Sequence, residues 1–439
     1  MPRLSGGEVA SAPSGRGGEW GWSSAGYVSP MSRTHRHLST AETSRPEPRP
    51  GITPAGTFLP ELEGLRGLAI LLVLLFHCEG AACYFAARAG GVCTDGPLVL
   101  VTAGHTGVSL FFVLSAFLLS LPFFQQRAGE RSVSLKRFYQ RRALRILPLY
   151  FAVLGAGALI SPSMSTTLRT LPYLVFFNGI WPVTSPGTHS EVMWSLATEV
   201  QFYAVLPWLF MPVGARLRFP ILVAFAVLYT ALICGALSWL LGDSAWLIGL
   251  SIVGRGPVFL CGILGAWLYV RFSAQARVSR SLAAIGDIAL VAAFVALELL
   301  LRVVTTGGNF FPWEVAPWIL WHVGEGAIWT VVVLLVVIAP LRLRALFTNR
   351  VMTRLGVLSY SIYLIHWPLL IWGGGLVLSP LALATGGSAL PEMYLLAGLS
   401  VGLSAVTYRL IERPFLLRKA HVGDTASRLV DPLPAQRAA

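Results

Sequence analysis

Charge is what this sequence most lacks. Of its 439 residues only 12% are Asp, Glu, Lys or Arg, whereas 55% are hydrophobic. About a quarter of an ordinary soluble domain is charged, and with a mean hydropathy of +0.68 a water-soluble fold could not hide so much apolar surface. Lysine is nearly missing, since among 33 basic residues all but Lys136 and Lys419 are arginine. That is a bias of composition, and no chemistry follows from it. The cysteines are few and scattered: Cys78, Cys83, Cys93, Cys234 and Cys261 show no metal-ligand spacing, and the last two fall in apolar runs, so no zinc site is expected. Cys83 and Cys93 bracket a short polar loop expected outside the cytoplasm, where they either pair or remain two thiols.

What the chain has instead is a succession of apolar runs near or above the roughly 18 to 20 residues that cross a hydrocarbon core. They recur along nearly the whole sequence after residue 60, so the fold class is all-α, a polytopic membrane protein of about ten transmembrane helices. The expected spans are 64–84, 106–124, 146–162, 194–212, 220–241, 250–271, 282–303, 316–340, 356–377 and 393–412, with the short apolar stretch 171–180 ambiguous. A net charge of +13 would suggest nucleic acid if it formed one soluble patch. Here the arginines lie in short segments between apolar runs, which is topology information, and no nucleic-acid partner is expected. Starting from the cytoplasm, the basic segments 125–145, 213–219, 271–280 and 341–354 all fall on the inner side, and the opposite loops hold little beyond Arg88 and Arg169. Ten spans then return the C-terminus to the side of the N-terminus, with Arg418 and Lys419 inside.

Residues 1–55 are rich in Ser, Gly, Pro and Arg and hold no signal-peptide-like apolar core, so they read as a disordered cytoplasmic tail. Residues 418–439 read likewise. A single membrane domain, 56–417, is left to carry the function.

Ionisable residues inside spans cost on the order of 2.5 to 3.5 kcal/mol at a helix centre and usually mark function. In the first span Arg66 precedes His77 by eleven residues, which puts both on one helix face about 16 Å apart along the axis. The alternatives are a packing hydrogen bond for His77 and snorkelling to the interface for Arg66. The second span, HTGVSLFFVLSAFLLS, offers Gly107, Ser109 and Ser115 as small or hydroxyl positions for close helix approach. In RRALRILPLY, Arg142 and Arg145 share a helical face beside Arg141. Paired guanidiniums suit phosphate oxygens, and the alternative is an anchor on anionic membrane lipids. Glu199 in WSLATEVQFY needs a partner, whether a histidine, an acceptor hydroxyl or an arginine such as Arg255. Tyr360, Tyr363 and His366 in SYSIYLIHWP add polar atoms to the ninth span, where His366 reads first as structural, and His322 and Glu325 read as packing polarity.

Taken together and in order, LRGLAILLVLLFH, GVSLFFVLSAFLLS, RRALRILPLY, WSLATEVQFY, SYSIYLIHWP and IERPF (411–415) resemble the acyltransferase 3 family of membrane O-acyltransferases from about residue 58 to 417. Glu63 stands where that family more often has Asp, and Ala116 where Gly usually follows the serine. The resemblance implies a ten-helix membrane domain that moves an acyl group, usually acetyl, from an acyl-CoA co-substrate to a hydroxyl of a sugar, a cell-envelope glycan or a glycosylated natural product, with no metal. It makes His77 the catalytic candidate, Arg66 its motif partner, Arg142, Arg145 and Arg141 the donor ligands, and Glu199 a further active-site polar group. No hydrolase-like domain of the kind some relatives carry after the last span is expected here. A neutral His77 could act as general base while an arginine or a backbone donor stabilises the oxyanion. Acyl transfer through Ser109 or Ser115 stays open, although the sequence shows no adjacent base. Two other classes compete: a transporter of a small polar substrate, whose path the same charged groups would line, and a non-catalytic membrane receptor. No internal repeat of the inverted-repeat transporter type is visible.

Overall fold

The computed structural model describes residues 59–88, 99–125, 134–160, 192–210, 249–272, 282–305, 315–377 and 389–418, with isolated positions between 165 and 177 and at 228–229. Among them every long element is a helix and no strand occurs. The helices are α1 (Pro60–Arg88), the short α2 (Val99–Thr102), α3 (Thr106–Gln125), α4 (Leu135–Ile160), α5 (Met193–Phe210), α6 (Ile252–Phe272), α7 (Ala283–Thr305), α8 (Val315–Ile338), the short α9 (Ala345–Thr348), α10 (Arg350–Pro368) and α11 (Leu390–Thr407). A π-helical turn follows α10 at Leu369–Gly373 and another follows α11 at Tyr408–Glu412.

Eight helices among the described residues are long and apolar enough to cross a membrane. At about 1.5 Å per residue, the 29 residues of α1 more than cover a hydrocarbon core of about 30 Å. α5 coincides with an expected span, but its 18 residues include Glu199 and Gln201, and it is less apolar than those eight. The expected span 220–241 lies almost wholly outside the described residues, as do most of 171–180, both terminal tails, and Cys93 and Cys234. Cys83 is disulfide-bonded to a partner outside the described residues, whereas Cys78 and Cys261 are free thiols.

Local chemistry sets the helix ends. Pro60 occupies the first position of α1, where its missing N–H costs nothing, and Glu61 and Glu63 fill the first turn, where a carboxylate meets the positive end of the helix dipole. Asn349 caps α10 by accepting from the backbone N–H groups of Val351 and Met352 at 3.0 and 2.9 Å. α4 corrects the sequence expectation, because it starts at Leu135 rather than at 146, so the RRALR segment is its N-terminal half and not a loop. A hydropathy window cannot detect that half, in which polar and apolar residues share the turns.

The interior is organised around α1, which packs chiefly against α10 and then α3, while α6 lies between α3 and α8. Because lipid tails are as apolar as leucine, helix association in a bilayer relies on close contact more than on water exclusion, and small residues provide it. A Cβ at Gly67 would sit 2.1 Å from the Met352 carbonyl oxygen, and one at Gly107 2.3 Å from that of Ala69. Trp329, fully buried, donates its indole N–H to Thr106 Oγ1 at 2.8 Å and so ties α8 to α3. The outward faces carry exposed Ile285, Ile288, Val295 and Leu299 on α7 and Leu395, Leu399 and Leu403 on α11, as lipid-facing stripes require.

Candidate active site

Five helices meet at one cavity of about 80 Å³, room for a few waters or a small acyl group. α1 contributes Arg66, α3 Ser115, α4 Arg142 and Arg145, α5 Ser195, Glu199 and Tyr203, and α10 Ser359, Tyr360 and Tyr363, with Val108, Phe112 and Ile146 among the apolar walls. The i, i+3 spacing turns Arg142 and Arg145 inward together, while Lys136, Arg137 and Arg141 on the other side of α4 are exposed.

Each polar group is held from a different helix. Glu199 Oε1 accepts hydrogen bonds from the Ser115 hydroxyl and, one turn along its own helix, from the Tyr203 hydroxyl. The Arg142 guanidinium lies 5.9 Å from the centroid of the Tyr203 ring, within cation–π range. Arg66 reaches Ser359 Oγ at 3.5 Å. Tyr360 donates to the Ile146 carbonyl and Tyr363 to the Val192 carbonyl, both at 2.7 Å, which locks α10 to α4 and to the start of α5. Among the described residues, the buried Nε atoms of Arg66 and Arg142 meet no hydrogen-bond partner. Three guanidiniums, one carboxylate and two unspent donors make this cavity suited to an anion.

His77 is not part of that lining. It lies eleven residues further along α1, at about 16 Å of axial rise, where its Nδ1 is 3.0 Å from Nε2 of His366 on α10. The His77 ring also packs against Trp367, with centroids 4.9 Å apart. The structure therefore gathers Arg66, Arg142, Arg145 and Glu199 at one depth, sets His77 with His366 at another, and leaves Arg141 on the exposed face.

Glu199 does not take Arg255 as its partner. Arg255 donates from Nε to the Gly249 carbonyl at 2.8 Å, approaches His322 Nδ1 at 3.1 Å and stacks over Trp194 at 5.1 Å. His322 Nδ1 is 2.9 Å from Glu325 Oε2, which also accepts from Ser109 Oγ at 2.8 Å. This wholly buried network joins α3, α6 and α8, and none of its members lines the cavity. Sequence reading missed the Ser115–Glu199 contact, because residues 84 apart on two helices leave no local signal.

A family model described as an acyltransferase domain matches residues 59–409. The chain is similar to O-acetyltransferase OatA of Staphylococcus aureus, with 21% identity over 385 residues covering 81% of this chain and 57% of that protein. It is 28% identical over 329 residues to the putative membrane-bound transacylase BcsY of Komagataeibacter xylinus, covering 70% of this chain and 72% of that one. A second putative O-acetyltransferase of S. aureus is 22% identical over 381 residues, covering 82% of this chain and 57% of the relative. The chain thus spans little more than half the length of the S. aureus relatives. No solved structure matches.

Proposed function

This chain belongs to the acyltransferase 3 family, and from that premise we propose that it moves an acyl group, acetyl in the first instance, from an acyl-CoA to a hydroxyl of a carbohydrate or glycosylated small molecule. The observation that carries the reading is the convergence of Arg66, Arg142 and Arg145 on one cavity with unpaired Nε atoms on two of them. Planar guanidiniums bind phosphate oxygens in pairs, and a nucleotide-linked thioester brings phosphates at one end of a long flexible arm.

In this reading both termini are cytoplasmic, the arginines hold the donor's phosphates near the inner face, and the reacting carbonyl comes to His77 deeper along α1. A hydroxyl is a weak nucleophile at its own pKa, so His77 takes its proton as the oxygen attacks the thioester carbonyl. Glu199, held by Ser115 and Tyr203, balances the three guanidiniums and keeps Arg142 aligned.

The test uses detergent-purified protein and its His77→Ala form with radiolabelled acetyl-CoA and a panel of envelope glycans and glycosylated metabolites. Label on an acceptor with wild type and none with His77→Ala supports the reading. Binding of no acetyl-CoA at millimolar donor, with no label transferred to any acceptor, rejects it.

A further inference from the structure

A histidine acting as base must present a lone pair, and what holds one ring nitrogen decides the state of the other. His366 Nδ1 lies 2.9 Å from the main-chain carbonyl of Ile362. A carbonyl only accepts, so this nitrogen carries a proton, and in the neutral ring His366 Nε2 is then an acceptor. That acceptor faces His77 Nδ1 at 3.0 Å, which must donate. His77 Nε2 is left with the lone pair.

We propose that His366 is a positioning residue for the transfer: through the chain from the Ile362 carbonyl to His366 to His77, it fixes His77 in its Nδ1–H tautomer with Nε2 as the base. The proposal rests on the reading of His77 given above. His366 has no solvent exposure, so water does not compete for its nitrogens. Its ring is held in place by Tyr363, with centroids 5.7 Å apart, and by His77 at 4.9 Å. Pro368 stands two residues after it and opens onto the π-helical turn Leu369–Gly373, a local irregularity of the kind often found at functional positions in helices.

The proton inventory closes. The acceptor hydroxyl loses its proton to His77 Nε2 as its oxygen bonds to the thioester carbonyl carbon. When the carbon–sulfur bond breaks, the leaving sulfur takes that proton, giving an oxygen ester and a free thiol. Between the two events the imidazolium charge is shared, since the proton on His77 Nδ1 can move toward His366 Nε2, whose opposite N–H already points at a carbonyl. A carboxylate in this place would neutralise the charge; a second histidine orients the base and spreads the charge.

The experiment compares wild type, His366→Phe and His366→Gln in acetyl transfer from acetyl-CoA by the full chain. Phenylalanine keeps a ring and offers no acceptor, whereas the glutamine carbonyl can accept from His77 Nδ1–H. His366→Phe is expected to lower kcat by about a hundredfold with donor KM changed by less than about threefold, and His366→Gln to recover at least about tenfold of that loss. Equal losses in the two variants, or a loss confined to KM, would overturn the assignment. Nitrogen-15 NMR of histidine-labelled wild type in bilayers, with His77→Ala to identify the signal, reads the tautomer without any turnover. Because the Val73 carbonyl also binds His77, the spectrum of His366→Phe is compared: an Nε2 unprotonated in wild type and protonated or mixed in that variant supports the relay, whereas a protonated Nε2 in wild type or a tautomer unmoved in the variant sinks it. Absence of transfer by wild type with an unprotonated Nε2 would count against the reaction and leave the relay standing.

Discussion

Gly356 of α10 lies against the main-chain carbonyl of Glu63 on α1, so close that a Cβ there would stand 1.9 Å from the oxygen. Side chains real enough to hold helices apart are thus forbidden at this crossing. The same crossing sets Arg66 opposite Ser359 and positions one wall of the cavity. Gly356→Val is expected to separate the two helices and to destabilise the protein by about 1 to 3 kcal/mol or more, as overpacking of a tight core does. Gly402→Ala, where nothing lies within 4 Å, is the control and should leave the melting temperature unchanged. Thermal unfolding in detergent of the two variants beside wild type checks this; equal melting temperatures would mean that the close approach carries no stability.

Donor binding should follow which side of α4 an arginine occupies. Arg142 lines the cavity with an Nε that meets no partner among the described residues, and Arg141, its neighbour in sequence, is exposed. Arg142→Ala is expected to raise the KM for acetyl-CoA by about ten- to a hundredfold, the worth of one or two charge-assisted hydrogen bonds. Arg142→Lys should recover little of it, because an ammonium lacks the planar fork. Arg141→Ala should change KM by less than about twofold. Steady-state kinetics at one salt concentration decides, and equal effects at 141 and 142 would point to general surface attraction in place of a site.

Among the described residues Glu199 is the single carboxylate lining the cavity, and two hydroxyls donate to one of its oxygens. In Glu199→Gln an amide oxygen can still accept from Ser115 and Tyr203, but the negative charge beside the guanidiniums is gone. Activity is expected to fall by about tenfold to a hundredfold, or about 1.4 to 2.7 kcal/mol in kcat/KM, with the melting temperature within a few degrees of wild type. Glu199→Ala also strands the two hydroxyls and should lower the melting temperature as well. Loss of stability in the glutamine form, with catalysis retained, would make Glu199 a structural acceptor.

Much of this architecture is written in the sequence because the bilayer imposes length and polarity on each crossing. Arg66, Arg142, Arg145 and Glu199 were legible for the same reason: a charge within or beside an apolar run stands out, and the spacing of Arg142 and Arg145 places them on one face. Pairing across helices is another matter. That Glu199 takes Ser115 and not Arg255, and that His77 meets His366, depends on how α1, α3, α5 and α10 are rotated about their axes, which glycine contacts such as Gly67 and Gly356 fix in three dimensions. The early start of α4 was hidden because its first turns are amphipathic, a pattern that average hydropathy erases.

A second charged network lies within α3, α6 and α8, away from the cavity. Arg255, His322, Glu325 and Ser109 are all buried, and Arg255 and Glu325 meet at His322 Nδ1. Taking away one charged member of such a group leaves the other uncompensated in an apolar interior, which typically costs about 3 to 5 kcal/mol, whereas replacing both by apolar residues of similar size is often neutral or stabilising. Glu325→Leu is therefore expected to lower the melting temperature steeply, and the double variant Arg255→Met with Glu325→Leu to recover most of that loss. A double-mutant cycle in detergent supplies the coupling energy. Since neither residue lines the cavity, a recovered double variant should keep the donor KM of wild type. Additive losses in the cycle would show that the two charges act separately, with His322 or Ser109 holding each on its own.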